Sequence, residues 1–227
     1  METLEEYIAH TKSAVQHLFG GVDAYLQILR SGCPPILDGS YSSEAERDAA
    51  LKRWKKEKNQ EIQKALEAER TFLAEKYALA VLCGSLLQIA SMAIRLYSKN
   101  KHIPAEWSGS VNAKLSAYCI GRLVRKVPLG LVIYAGRNQY NHIDEDQLHE
   151  PNRSVFEWLA TRHEYGESIR DPAFDLKTGF TWNYPSNITS LIGWRDYKTY
   201  EKDMLSLLGS NNPRNFPTTD ASLIIRH

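Results

Sequence analysis

The chain has 227 residues and a mass of 25.9 kDa, enough for one well-formed hydrophobic core or one domain with an extension. Hydrophobic residues at 43% and charged residues at 24% exclude wholesale disorder, and a net charge of +1 lacks the basic excess of a dedicated duplex binder. Cys33, Cys83 and Cys119 are widely spaced with no C-x-x-C pair, and the first residues carry no signal-peptide pattern, so three reduced thiols in a cytoplasmic protein are expected.

From Thr3 to Arg30 the apolar positions Leu4, Ile8, Val15, Leu18, Val22, Tyr25 and Leu29 recur at threes, fours and one seven, which predicts a helix. Thr3 with Glu6 makes a capping box at its start, and Gly20-Gly21 weakens its middle. Ser31 to Ser42, with Pro34-Pro35 and Asp38-Gly39, reads as a loop. Ser43 with Glu46 is a second capping box, opening a helical segment that extends as far as Asn100. Up to Leu73 this segment is heavily charged, with a thin stripe of Leu51, Trp54, Ile62, Ala65 and Phe72; beyond it the chain is almost wholly apolar. A projecting arm leading, through a kink, into a buried rod is the expectation.

The basic cluster Lys52, Arg53, Lys55, Lys56 and Lys58 in the arm is either a phosphate-binding patch or a solvated face balanced by Glu57, Glu61, Glu67 and Glu69; the second arrangement is the commoner. The uncharged run Tyr77 to Ile94 has the 18 residues of a short membrane span. Gly84, Ser85, Gln88 and Ser91 within it favour a buried central helix, and no membrane partner is expected. Ala80, Gly84 and Gln88, four apart, let another helix approach closely, within the chain or across a dimer seam.

Lys99 to Ser110, containing Pro104 and Gly109, is a connector. Asn112 to Lys126 predicts a helix with Leu115, Tyr118, Cys119, Leu123 and Val124 inward, interrupted by Val127-Pro128. A further helix is expected from Leu129 to about Glu150, stopped by Pro151, and a short one from Ser154 to Tyr165. Gly166 to Pro185 reads as an ordered irregular segment or small hairpin, whose Phe174, Phe180, Trp182 and Tyr184 more commonly cap a core than stack on a base. Ser186 to Leu208 is the last predicted helix, and residues from Gly209 onward read as a mobile tail. The sum is an all-α bundle of long antiparallel helices, one domain over residues 1–208, with a small irregular or hairpin insertion before the C-terminal helix.

The stretch Val127 to His142, VPLGLVIYAGRNQYNH, runs from apolar residues into a polar cluster of Arg137, Asn138, Asn141 and His142. On a helix Asn138 and His142 share a face, and Arg137 on its long stem swings beside the imidazole. A permanent cation, two amides and a titratable ring are the groups needed to hold a phosphate and move a proton.

These residues resemble the R-x4-6-H motif of the HEPN superfamily, all-α domains that include many metal-independent endoribonucleases; Asn138 matches the Asn, Asp or His that commonly follows the motif Arg. With 14 Arg and 7 His in the chain such a spacing arises about once by chance, and a second copy runs from Arg95 to His102. That copy has Leu96 after the Arg and enters a Lys-rich, Pro-bounded segment, so Arg137 and His142 are the pair to follow. The H-x-Y continuation of one HEPN toxin subclass is absent, since the chain reads His142-Ile143-Asp144.

The resemblance implies RNA cleavage by attack of the ribose 2′-OH on its own phosphate, leaving a 2′,3′-cyclic phosphate, often in toxin or antiviral defence under an antitoxin or other regulatory partner. His142 is then the acid or base, Arg137 the phosphate clamp and Asn138 the orienting hydrogen bonder; Tyr140 and Asn141 line the same groove. One imidazole per chain implies a homodimer with a composite site across its twofold axis. No cofactor is expected, as no glycine-rich strand-to-helix loop is present.

Three readings compete. Arg137 and His142 belong to an ordinary helix end bonded to Asp144 or Glu145, which leaves a non-catalytic HEPN-like dimeric ligand-binding or protein-interaction module. His142, Asp146, His149 and Glu150 form a metal-ligand stripe, against which no second helix offers a matching pattern, so no metal is expected. A helical protein binding partners through the charged arm is the third.

Overall fold

The computed structural model describes residues 2–74, 76–141, 148–166, 168–178 and 184–209. The fold is mostly helical and begins with α1 (Leu4–Ser31), whose capping box forms as expected: Thr3 N–H donates to Glu6 Oε2 at 2.8 Å and Glu6 N–H to Thr3 Oγ1 at 3.2 Å. The long segment after Ser43 is three helices, α2 (Glu44–Glu57), α3 (Asn59–Ala74) and α4 (Lys76–Tyr97).

Helix α2 is the arm: it buries no residue, and its charges face solvent, with Arg47 near Glu44 at 3.5 Å. Its cap is shared between neighbours. Ser43 Oγ accepts from Glu46 N–H, but the Glu46 carboxylate reaches back to Ser42 rather than to Ser43. Helix α4 lies antiparallel along α1, and α3 packs beside the end of α1, as three close approaches show. A Cβ on Gly32 would stand 2.4 Å from Ala68 Cβ, one on Gly21 2.9 Å from Leu82 Cδ1, and Tyr7 Oη donates to Ile89 O at 2.9 Å. Gly21 therefore admits α4, a use of the glycine pair that the spacing alone did not suggest.

Tyr77–Tyr97 is long and apolar enough to cross a membrane, with a mean hydropathy of 1.8 over its best window, yet 56% of that window is buried inside the fold. Leu86, Leu87, Ala90, Ala93 and Ile94 are fully buried against α1 and the elements that follow. This is the central helix the sequence suggested.

The helix expected from Asn112 to Lys126 does not form. Asn112 caps a 3-10 helix, Ala113–Tyr118, and the chain then makes a hairpin of β1 (Leu123–Val124) and β2 (Val127–Pro128), paired Leu123 to Pro128 and Val124 to Val127. The cause is tertiary. Ser98 Oγ donates to Ala117 O at 2.8 Å and Asn100 Nδ2 to Ser116 O at 2.7 Å, taking carbonyls that a continuing α-helix would need. Gly121, at φ +87°, then turns the chain, and Arg125 and Lys126 occupy the left-handed region at φ 49° and 67°. Arg125 pins the hairpin by donating to Leu159 O and to Asp171 Oδ2 at 2.6 Å.

Helix α5 (Leu129–Asn141) follows directly; Leu148 and His149 are not helical, so the expected continuation to Glu150 fails at that end. The Glu150 side chain instead caps α6 (Asn152–Thr161), accepting from Ser154 Oγ at 2.6 Å. In the irregular segment the described residues form turns and a 3-10 helix, Leu176–Thr178, with no hairpin; Gly179, Phe180 and Trp182 lie outside the described residues. Phe174 and Tyr184 do cap the core, at 2% and 1% exposure, with Tyr184 stacked 4.3 Å from Phe156.

The last expected helix is two, α7 (Tyr184–Leu191) and α8 (Tyr197–Leu208). Gly193 at φ +78° ends α7 while Trp194 N–H reaches back to Thr189 O, and Asp196 opens α8 in a reciprocal cap with Thr199. One contiguous core extends from Leu4 on α1 to Leu207 on α8. The expected tail lies outside the described residues beyond 209.

Candidate functional site

Helix α5 enters the fold as a buried element and leaves it as a polar one. Leu129, Leu131, Val132, Ile133, Ala135 and Gly136 are buried; Arg137, Asn138 and Tyr140 are half-buried, and Asn141 is exposed. Gly136 lets the helix close on α4 and α7, since a Cβ there would stand 2.7 Å from Ile188 Cδ1 and 2.8 Å from Leu87 Cδ1. The polar end is thereby fixed against α4.

Arg137 Nε donates to Gln88 Oε1 at 2.6 Å, and its Nη1 donates to Asn138 Oδ1 at 2.9 Å. Asn138 Nδ2 in turn donates to Asn152 Oδ1, on the buried first turn of α6, at 3.5 Å. A chain of amides thus runs from α4 through α5 to α6 with a guanidinium in its middle. Among the described residues no carboxylate pairs with Arg137, and the two acceptors that hold its guanidinium there are neutral. Tyr140 lies against α4 where Gly84 leaves room, a Cβ there falling 2.3 Å from the ring.

The structure therefore brings Arg137, Asn138 and Tyr140 to one end of α5, with Asn141 on the solvent side. His142 lies outside the described residues, as do Asp144, Glu145 and Asp146. Gln88 and Asn152 are members of the network that motif reading missed. The signal for Gln88 was its four-residue spacing from Gly84, read as a helix approach; that approach is intramolecular, with α5 as the partner. Beside them Gln139 is buried at 1% exposure, and its Oε1 has no hydrogen-bond partner among the described residues.

The metal stripe loses its geometry, because His149 is off the helix and Glu150 is a cap; His142 and Asp146 lie outside the described residues. No group of three or more His, Cys, Asp or Glu among the described residues is placed to hold a metal ion. Arg95 is exposed near the end of α4 and His102 sits in the following coil, so that pair shares no helical face. A surface cleft of about 440 Å³ lies elsewhere, lined by Arg125, Arg162, His163, Tyr165, Arg170 and Asp171 among others. Several of its ionic groups are internally committed: Arg125 to Asp171, Arg170 to Glu157 and Asp175, and His163 to Ile169 O and Tyr165 N–H. The chain matches no protein-family model, no curated protein and no solved structure.

Proposed function

We propose that the chain is a HEPN-type endoribonuclease that cuts RNA without a metal, with Arg137 as phosphate clamp, Asn138 as its orienting partner and His142 as proton carrier. The observation that supports this reading most is the Arg137 guanidinium, anchored by Gln88 and Asn138 with no acid to neutralise it among the described residues. A cation so prepared suits the charge that develops on a phosphoryl oxygen during transfer.

In the proposed reaction a base removes the proton from the ribose 2′-OH, the O2′–P bond forms, and the P–O5′ bond breaks. An acid delivers a proton to the departing O5′, leaving a 2′,3′-cyclic phosphate and a 5′-hydroxyl. The imidazole of His142 suits either proton step near neutral pH, and a second chain supplies the other. Tyr140 and Asn141, at the exposed end of α5, belong to the same groove. A role in toxin or antiviral defence, held in check by a regulatory partner, is the context carried by the resemblance.

Cleavage of a mixed RNA by the purified protein in EDTA, with the ends read for cyclic phosphate, tests the proposal. Loss of that product in both Arg137→Ala and His142→Ala, with folding retained, supports it. Equal cleavage by wild type and both variants refutes the role of this pair, and absence of cleavage in all three leaves a non-catalytic helical binding module.

A further inference from the structure

The seven positions from Lys52 to Lys58 hold five cations and one acid, in a chain whose charges as a whole nearly cancel. Helix α2 sorts them by side. Ala50, Leu51, Trp54 and Lys58 are half-buried and form its inner side, whereas Lys52, Arg53, Lys55 and Lys56 are all exposed. At about 100° per residue those four fall within about 160° of one another, so they make one continuous outward stripe. The acids that would cancel the stripe are engaged elsewhere or stand apart. Arg47 takes Glu44 and Asp48, at 3.5 and 3.6 Å, while Glu46 is bonded to Ser42 and feels the charge of Arg53 only at a distance. Of Glu57, Glu61, Glu67 and Glu69, Glu61 alone makes an ion pair among the described residues, and its partner is Lys58 on the inner side. Lys52, Arg53, Lys55 and Lys56 make none among those residues.

We propose that this stripe is a sequence-independent RNA-binding surface, which grips the phosphate backbone of a substrate away from the point of cleavage. Closely set cations without acid partners are the electrostatic footprint of a polyanion site, because each phosphate they neutralise releases condensed counterions. A bilayer surface is the poorer match. A helix lying in a membrane interface needs a broad apolar side, and α2 buries no residue and offers only Leu51 and Trp54 as large apolar groups. A protein partner is poorer too, since a stable protein interface needs apolar or aromatic anchors at its centre and none stands in the stripe.

The placement of the arm suits that role. Helix α3, which carries α2, packs at the C-terminal end of α1, where Gly32 meets Ala68. Helix α4 runs antiparallel to α1, and α5 antiparallel to α4, with Arg137 level with Gln88 and Tyr140 level with Gly84. The polar end of α5 therefore points toward that same end of α1, and a strand held by the arm extends toward it. In naming RNA as the occupant the proposal rests on the proposed cleavage; the polyanion-binding surface rests on charge, exposure and pairing alone.

Fluorescence anisotropy with a labelled 2′-O-methyl RNA of mixed sequence reads binding alone, because that probe lacks the attacking hydroxyl and stays intact. Wild type is expected to bind it with an affinity that falls with salt, at a log–log slope of about −0.7 per phosphate contact. Lys52→Gln, Arg53→Gln, Lys55→Gln and Lys56→Gln together keep a good helix former at each position, and are expected to weaken binding about tenfold or more and flatten that slope by about 3. A second variant with Gln at Lys99, Lys101, Lys198 and Lys202, four exposed cations elsewhere, loses the same charge and is expected to change affinity less than about threefold. Circular dichroism checks that both variants stay helical. Absence of binding at low salt overturns the proposal, as does an equal loss in the two variants. So does arm-dependent capture by phosphatidylserine vesicles with RNA affinity unchanged. Cleavage is scored separately: arm-dependent binding by a protein that cuts no RNA upholds the surface and refutes the nuclease, whereas Arg137-dependent cleavage with binding indifferent to the arm charges does the reverse.

Discussion

Arg137 and Gln88 join the polar end of α5 to the central helix, Nε to Oε1 at 2.6 Å, with the acceptor neutral rather than acidic. The distinction matters because an acid in that place would hold the guanidinium and cancel its charge. Gln88→Glu is therefore expected to fold with wild-type stability or better, yet to cut RNA about tenfold or more slowly. Gln88→Ala removes a hydrogen bond to a charged donor and is expected to lose about 1.5–3 kcal/mol as well as activity. Urea melts beside cleavage rates at fixed salt separate the two effects. Undiminished cleavage by the Glu variant would remove Arg137 from phosphate binding.

Gly84 and Tyr140 form the second contact that sets the end of α5. A methyl at Gly84 would fall 2.3 Å from the ring, so Gly84→Ala must displace an aromatic side chain between two packed helices. The expected loss is about 1–3 kcal/mol, the usual range for overpacking. Truncating Tyr140 removes the obstacle, so the double variant with Tyr140→Ala is expected to lose less than the sum of the single losses. Additive losses in a double-mutant cycle would mean that the ring and the methyl never meet.

How much of this was legible in the sequence depends on where each partner lies. Helix α1 was readable because its cap residues are three apart and its apolar positions follow one face. The helix assigned to Asn112–Lys126 failed because Leu115, Tyr118 and Cys119 do have helical spacing, while Ser98 and Asn100, which take the carbonyls of Ala117 and Ser116, belong to the preceding connector. Gly193 did carry a signal for the break before α8, and the apolar positions on either side of it concealed that signal. At the site Arg137 and Asn138 stood out as a polar cluster ending an apolar helix. Gln88 and Asn152 did not, being 49 and 14 positions from the side chains they hold.

Arg170 gathers two carboxylates, Glu157 at 2.6 Å and Asp175 at 3.1 Å. Its hydrogen bonds hold the Glu157 carboxyl below its ordinary 4.5 and that of Asp175 below its ordinary 3.8. Both groups bind protons more readily unfolded than folded, so their contribution is complete above about pH 4.5 and is lost as pH falls through that range to the folded values. Arg170→Gln is expected to flatten the acid limb of a stability–pH curve. At neutral pH it costs only about 0.5–1 kcal/mol, because Glu157 is 47% exposed. An unchanged acid limb in urea melts would show the cluster to be energetically idle.

The three cysteines should separate by reactivity. Burial pushes the Cys83 thiol up to about 11, against a partly opposing hydrogen bond from Thr189, and burial likewise pushes Cys119 up to about 11. Cys33 is exposed. A disulfide-exchange reagent is expected to titrate one thiol quickly in the native protein and the other two only in denaturant. Cys33→Ser should abolish the fast phase; its survival would place a second thiol at the surface.

The hairpin before α5 holds two non-glycine residues in the left-handed region, and they differ in what anchors them. Arg125 at φ 49° is tied to Leu159 O and Asp171, and its guanidinium lies 5.2 Å over the Phe174 ring, so its strain is offset by contacts to α6 and the following segment. Lys126 at φ 67° makes no hydrogen bond or ion pair with its side chain among the described residues. Two-residue hairpin turns with both central residues at positive φ favour glycine at the second position. Lys126→Gly is expected to stabilise the protein by about 1 kcal/mol, the steric cost of a left-handed L-residue. Arg125→Gly, by contrast, should destabilise it, because it removes the anchor along with the strain. Urea midpoints for the two variants decide the matter: a loss in both would mean that the turn relaxes out of the left-handed region in solution.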